Sequence, residues 1–177
     1  MNFDELMAAH ERANRIQGCS IEQLVAAFPR IFHGEAPQCS SHVSPGWREI
    51  VWEAFRQIDD LLSEGQAARL RVDQIKEKFG SLRIYLSGMA RSGAVQLVEH
   101  ATHTHLGPSD QGEEIGDRVQ AIINAAAEKC AQTCDMCGQP GSIRAPDHVY
   151  AARCDAHRKT SWDEWNLRVL RRHGGAP

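Results

Sequence analysis

The chain has 177 residues, of which 42% are hydrophobic and 24% charged, and its formal net charge is −3. These values predict one globular domain, with a small appendage at most, and they exclude wholesale disorder. A slightly acidic chain is a poor candidate for binding nucleic acid over a broad surface, although its net charge is compatible with a local basic patch. No apolar run approaches the ~20 residues of a membrane helix. The six cysteines and the absence of an apolar leader segment favour a reducing compartment, so we expect a cytoplasmic protein.

The N-terminal segment predicts two helices followed by a loop. Residues 4–16 are compatible with a helix. Ser20 and Gln23 form a capping-box pattern that predicts a short helix over 20–28. Residues 30–43 are rich in glycine, proline and serine, which is typical of a loop.

The clearest helix is predicted over residues 44–64. Ser44 suits the N-cap and Pro45 the first helical position, while Gly65 is a plausible stop. Apolar residues recur there at three- and four-residue steps and give one buried face. They are Trp47, Ile50, Val51, Ala54, Phe55, Ile58, Leu61 and Leu62. We expect this helix to lie at the centre of the core.

Residues 69–86 predict a β-hairpin that packs on this helix. The alternating residues of its second strand are Leu82, Arg83, Ile84, Tyr85 and Leu86. An alternation of period two is typical of a half-buried strand. The pattern slips at Ile75, which predicts a bulge or a wider loop through residues 76–80.

The C-terminal half predicts a poorly patterned segment, a helix, a second hairpin and a last helix. Residues 88–112 match no regular pattern and could form a partial helix followed by a loop, and a helical period returns over 113–131. Residues 142–153 can form a short hairpin. Ser161, followed by Glu164, predicts the start of the last helix.

Two short pairs of metal-ligand residues stand near the C-terminus. Cys134 and Cys137 form one pair, Cys154 and His157 the other, and two residues separate the members of each pair. One tight turn can therefore aim both members at the same ion. Thiolate and imidazole suit zinc, and four protein ligands predict one structural Zn²⁺ in a closed site. Gly138 stands where such a knuckle needs a residue with conformational freedom.

Three motifs together resemble a family of bacterial and phage proteins for which we know of no established activity. They are the Gly46–Trp47 pair, the string from Gln74 to Tyr85 (QIKEKFGSLRIY), and the knuckle from Cys134 to Gly141 with its Cys154–His157 partner pair. The resemblance covers residues 46–157 apart from residues 88–112, which it marks as an insertion. It implies a zinc-bearing α+β protein. Genes of this kind often lie among phage or accessory genes, so it also suggests an inhibitor, immunity or counter-defence role.

Other histidines and cysteines offer alternative metal sites. His100, His103 and His105, close to Glu99, could form an open site for a metal-dependent hydrolase, although solvated histidines are common. The Cys39-x-x-His42 pair has ligand spacing. His33 or Cys19 could join that pair in a second zinc site.

The pair Asp147–His148, between the ligand pairs, suggests an HNH-type nuclease. The fit is poor, because only five residues separate His148 from Cys154, too few for the strand and helix of that fold. A nuclease of this kind would also need a second, hydrated metal ion.

Two sets of basic residues are candidates for an interaction surface. The hairpin set is Lys76, Lys78, Arg83 and Arg69, with Tyr85 as an aromatic candidate beside them, and the set on the last helix is Arg168, Arg171 and Arg172. A solvated charged face is the ordinary interpretation of either set. As a functional surface, either set would dock onto phosphate or onto an acidic protein.

The sequence as a whole predicts an α+β protein with a core domain at 1–131 and a zinc-binding lobe with a terminal helix at 132–177. No nucleotide loop or nucleophile motif is found, so the leading hypothesis is a non-enzymatic protein that binds a protein partner. Nucleic-acid binding through the zinc lobe is the first alternative. A metal-dependent hydrolase is the second.

Overall fold

The computed structural model describes residues 3–18, 20–89, 110–145 and 150–173. Helices pack around two small antiparallel hairpins, which confirms the predicted α+β class. The helices are α1 (Phe3–Ile16), α2 (Ile21–Ala27), α3 (Pro29–Phe32), α4 (Arg48–Leu61), α5 (Glu64–Ala67), α6 (Asp110–Ala131) and α7 (Trp162–Arg172). The strands are β1 (Arg71–Lys78), β2 (Ser81–Ser87), β3 (Ser142–Arg144) and β4 (Ala151–Arg153), and 3-10 turns occur at Pro45–Trp47 and Asp155–His157.

The N-terminal helices follow the prediction, except that the segment 30–43 is not all loop. Ser20 caps α2 with the predicted box, in which Ser20 and Gln23 exchange hydrogen bonds. Pro29 then opens α3, because proline suits a first helical position, where no backbone N–H is needed. The loop that we predicted therefore begins only after this short helix.

The helix predicted over 44–64 is shorter at both ends. A 3-10 turn precedes α4, and Ser44 makes no side-chain cap. After α4, the backbone N–H of Ser63 donates to the Gln66 side chain and a capping box starts α5. Gly65, predicted as the stop, lies inside α5. A competing capping box thus ends α4 before the glycine is reached.

The β1–β2 hairpin closes in a two-residue turn instead of a wider loop. Lys78 pairs with Ser81, and the intervening Phe79 and Gly80 both have positive φ, 55° and 76°. These angles match a type I′ turn, whose twist suits the flanking strands. The break in the apolar alternation of β1 is explained by a β-bulge, in which Asp73 is the extra residue.

A main hydrophobic core surrounds α4, as predicted. The inner face of the hairpin and one face of α6 belong to this core, and α6 contacts both α4 and β2. Its largest fully buried side chains are Trp47, Phe55, Ile31, Ile58, Leu70, Ile75 and Leu82. Burial of each such side chain contributes about 2–3 kcal/mol to the free energy of folding. This core therefore supports the C-terminal part of the chain.

A second, smaller core joins the two ends of the chain. α1 packs on α7 through Ala13, Val169 and Leu170. The indole N–H of Trp165 donates to Gln17 Oε1 at 3.1 Å. These contacts cross the predicted boundary between 1–131 and 132–177, and that division stays a prediction.

The predicted insertion falls mostly on residues 90–109, outside the described part of the chain. The alternative metal ligands Glu99, His100, His103 and His105 lie there too, and Cys19 and the Asp147–His148 pair are likewise outside the described residues. Within the described ranges, no helix combines the length and apolar character that a membrane span requires.

Candidate metal centre

Four ligand side chains converge where α6 and β4 end. Cys134 and Cys137 lie on the loop after α6, and Cys154 and His157 follow β4. One ligand atom from each of the four lies within 4.8 Å of the other three. In the described ranges this is the only group of histidine, cysteine or carboxylate side chains found that could hold a metal ion.

The separations within the group are those of ligands around a common centre. Cys137 Sγ and Cys154 Sγ are 3.8 Å apart, and His157 Nδ1 is 3.3 Å from Cys154 Sγ and 3.6 Å from Cys134 Sγ. A disulfide would bring two sulfurs to about 2.05 Å, and these cysteines are free thiols. The arrangement can therefore hold one ion with three sulfurs and one nitrogen.

Backbone hydrogen bonds shape the first ligand pair into a knuckle. The N–H of Gly138 donates to the Cys134 carbonyl at 2.9 Å, and the N–H of Cys134 donates to the Gln139 carbonyl at 2.8 Å. Gly138 has a φ of 75°, a left-handed conformation that glycine adopts without a side-chain clash. This agrees with the conformational role predicted for Gly138.

The second ligand pair is carried to the knuckle by the β3–β4 hairpin. Ile143 pairs with Ala152 in that hairpin, and the N–H of Asp135 donates to the Ala152 carbonyl at 2.9 Å. β4 therefore lies beside the knuckle, and the chain delivers Cys154 directly after it. The predicted short hairpin is confirmed.

The local environment shifts the pKa values of the candidate ligand groups in different directions. Burial raises the pKa of Cys137 to about 12. Burial also raises that of Cys154, but the backbone N–H groups of His157 and Ala156 and the two neighbouring thiols lower it to a net value below the ordinary one. Burial and the charges of Arg153 and Arg168 lower the pKa of His157. The lowered pKa values of His157 and Cys154 favour metal uptake, since ligands must lose their protons, whereas the raised pKa of Cys137 opposes it.

A buried ion pair supports the knuckle, and the sequence analysis did not identify it. Arg153 Nε lies 2.8 Å from Asp135 Oδ1, and the two side chains are 7% and 1% exposed. Burial raises the pKa of Asp135 to about 7, and the Arg153 guanidinium opposes that rise. Arg153 also donates to the Thr160 carbonyl at 3.1 Å and lies over the Trp162 ring. The pair thus joins the knuckle to the segment that leads into α7.

Gly46 and Trp47 contact the back of the knuckle, whereas in the sequence they stood out only as a motif of the resembling family and as part of the predicted helix. The N–H of Gly46 donates to the Asp135 carbonyl at 2.7 Å, and Trp47 Nε1 donates to the Thr133 carbonyl at 2.8 Å. A Cβ on Gly46 would overlap the backbone of Cys134 and Gly138. The Gly46–Trp47 motif is recognisable in the sequence, but its contact with the knuckle is seen only in the folded structure.

The second zinc site that was left open as an alternative around Cys39 and His42 is not found among the described residues. Cys39 is an exposed free thiol, and His33 Nε2 lies 3.0 Å from the Leu70 carbonyl and 2.8 Å from Arg71 Nη1. Cys130, in contrast, is fully buried in the main core, which raises its thiol pKa. It lies on α6, as expected.

The predicted basic residues occupy two separate surfaces. Lys76, Lys78, Arg83 and Tyr85 lie on the outer face of the β1–β2 hairpin, opposite the buried Ile75, Leu82 and Ile84. Arg168, Arg171 and Arg172 are exposed on α7.

No family model, curated protein or solved structure matches the chain in our comparisons.

Proposed function

We propose that the chain is a zinc-stabilised, non-enzymatic binding protein that recognises an acidic protein surface through the outer face of its β1–β2 hairpin. The proposal rests chiefly on Lys76 and Arg83, which face each other across the hairpin. Like charges directly opposite in a sheet are destabilising. Such a pair is easily explained when an anionic partner neutralises it.

Zinc is the ion that best fits the candidate metal centre. With Zn–S near 2.3 Å and Zn–N near 2.05 Å, a tetrahedral ion separates its ligand atoms by about 3.8 Å (S–S) and about 3.6 Å (S–N). The separations of Cys137 from Cys154, at 3.8 Å, and of Cys134 from His157, at 3.6 Å, agree with these values, while that of Cys154 from His157, at 3.3 Å, is shorter. Four protein ligands fill a tetrahedral shell, so the ion would stabilise the fold without activating water.

Aromatic side chains extend the basic hairpin face. Lys76 Nζ lies 5.1 Å from the Tyr85 ring centroid, and Lys78 Nζ lies 5.4 Å from that of Phe79. Tyr85 is 44% exposed and Phe79 64%. Aromatic side chains and arginine are enriched at protein interfaces, where rings supply contact area, and Arg83 lies on this same face.

The tip of the hairpin carries an unusual backbone conformation. Phe79 has a φ of 55°, a region that bulky residues rarely adopt, and its ring meets that of the exposed Tyr150 edge-on with centroids 6.0 Å apart. Backbone strain of this kind persists where surrounding structure enforces it, commonly at functional sites. The exposed Phe79 ring, on a backbone of positive φ, supports the tip as the apolar end of the binding surface.

Charge reversal on the hairpin tests the proposal. We would compare affinity capture with cross-linking mass spectrometry for the zinc-loaded wild type and a Lys76→Glu, Arg83→Glu variant. Arg118→Glu, an exposed arginine on α6, is the matched control. We expect cross-links from β1 and β2 to an acidic partner, lost in the hairpin variant and kept in the control.

Two other outcomes would replace the proposal. Capture of nucleic acid, with an affinity that falls steeply with salt, would favour the nucleic-acid alternative through the basic residues of α7. A hydrolytic activity lost in His103→Ala, with the bound zinc retained, would favour the hydrolase alternative. Unchanged partner cross-links in the charge-reversed variant would remove the hairpin from the interface.

A further inference from the structure

We infer that a cavity beside the metal centre binds a small organic anion, one that carries a phosphate or carboxylate group. The cavity lies between the C-terminal end of α1 and the exposed side of α7, and its volume is about 340 Å³. This is near the lower end of the size range of ligand pockets. It has room for a compact molecule or for one terminal group of a larger one.

The charged side chains around the cavity have one sign. Arg168, Arg172 and His173 line it, together with His157, and no carboxylate belongs to its lining. Arg168 and Arg172 stand four positions apart on α7, a spacing at which like charges repel. In the described ranges neither guanidinium has a carboxylate within ion-pair distance. An anion placed between them would attract both guanidinium groups and offset their mutual repulsion.

The ring of His157 offers a further donor. Its Nδ1 faces Cys134 and Cys154, at 3.6 and 3.3 Å. When Nδ1 is the metal ligand, the proton resides on Nε2, and that N–H is normally donated to a carboxylate, carbonyl or water. No acceptor for Nε2 is found among the described residues. An oxyanion in the cavity that His157 lines would supply one and would link ligand binding to the metal centre.

The remaining wall suits the organic part of such a ligand. Ile16, Trp165 and Val169 contribute apolar surface to the cavity. Trp165 is held in place, because its indole N–H donates to Gln17 and its ring meets His157 edge-on with centroids 4.7 Å apart. A rigid aromatic wall beside two arginines favours an anion with a ring or short chain over a bare inorganic ion.

Calorimetry on the full zinc-loaded chain tests this inference. The probes are phenyl phosphate and benzoate, which separate the phosphate from the carboxylate source, with inorganic phosphate for comparison. We expect one equivalent of an organic anion to bind. Arg168→Gln and Arg172→Gln should each weaken binding by about tenfold, as for the loss of a charge-assisted hydrogen bond.

Arg171→Gln is the matched control, because Arg171 lies on the same helix and does not line the cavity. Its affinity should equal that of the wild type. A second readout is the imidazole ¹⁵N spectrum, in which His157 Nε2 should shift on binding while the zinc content stays constant. Absence of binding for every probe, or equal weakening in all three arginine variants, would overturn the site. These results are independent of the hairpin surface, which all three variants leave intact.

Discussion

The indole N–H of Trp47 donates a hydrogen bond of 2.8 Å to the carbonyl oxygen of Thr133, a residue 86 positions further along the chain. Trp47 is 1% exposed and belongs to the main core. Thr133 directly precedes Cys134, the first residue of the candidate metal centre. The bond therefore joins the main hydrophobic core to the knuckle that carries Cys134 and Cys137.

Replacement of Trp47 tests that connection. In Trp47→Phe an aromatic ring remains, but it is smaller than the indole and lacks the N–H donor, so the Thr133 carbonyl is left without its partner and part of the buried site is left empty. We expect the free energy of unfolding to fall by about 1–3 kcal/mol, measured by urea denaturation of the zinc-loaded protein. Trp52→Phe is the control, since Trp52 is only half-buried. An equal loss in both variants would argue that ring size, and not the hydrogen bond, is responsible.

A methyl group on Gly46 should be more harmful than one on Gly65. At Gly46 the added Cβ overlaps the backbone of Cys134 and Gly138, whereas at Gly65 nothing lies within 4 Å. Overpacking typically costs about 1–3 kcal/mol, and backbone neighbours yield less than side chains do. Gly46→Ala should thus lower both the denaturation midpoint and the zinc affinity. Gly65→Ala, inside α5, should be neutral or stabilising, because alanine favours helix.

Loss of one ligand should release the metal, whereas loss of an exposed cysteine should not. Cys137→Ser removes a member of the ligand group, while Cys39→Ser changes an exposed free thiol. Native mass spectrometry should find one zinc ion in the wild type and in Cys39→Ser, and none in Cys137→Ser. A chelator should likewise disorder the segment after α6, visible as the loss of dispersed amide signals. Zinc retained in Cys137→Ser would contradict the ligand assignment.

Acid should release the zinc, because the ligand groups then bind protons. The pKa of His157 is held below its usual 6.5, so the folded chain binds fewer protons there than the unfolded chain. The stability from this residue is therefore present at neutral pH and is lost as the pH falls through the lowered pKa. Zinc content followed by mass spectrometry against pH should fall only below the ordinary histidine range. Release of zinc above pH 7 would contradict the expected pH dependence.

The two arginines of the C-terminal hairpin should differ in importance. Arg153 pairs with Asp135 inside the protein, whereas Arg144 pairs with Asp155, whose side chain is 90% exposed. Removing one partner of a buried pair costs about 3–5 kcal/mol, and an exposed pair contributes about 0–1 kcal/mol. Arg153→Met should therefore strongly destabilise the zinc-loaded protein in thermal denaturation, and Arg144→Met should not. Similar midpoints for both variants would show that the buried pair is not needed.

Local patterns in the sequence were sufficient where the decisive interactions are short in range. The capping box at Ser20, the alternation around Ile84 and the ligand spacing at Cys134 each led to the element now observed. The same reasoning missed α3 and placed the end of α4 too late. In both places a further local signal decided the outcome, because Pro29 opens α3 and the capping box of Ser63 and Gln66 ends α4.

The sequence by itself determined the α+β class, the hairpin and the four residues of the candidate metal centre, because periodicity and ligand spacing are local properties. Only the tertiary structure decided what lies beside that centre. The contacts of Gly46 and Trp47 with the knuckle, the Asp135–Arg153 pair and the cavity next to His157 join segments far apart in the chain. No local pattern encodes such contacts, since they depend on how the helices and hairpins pack around a common core.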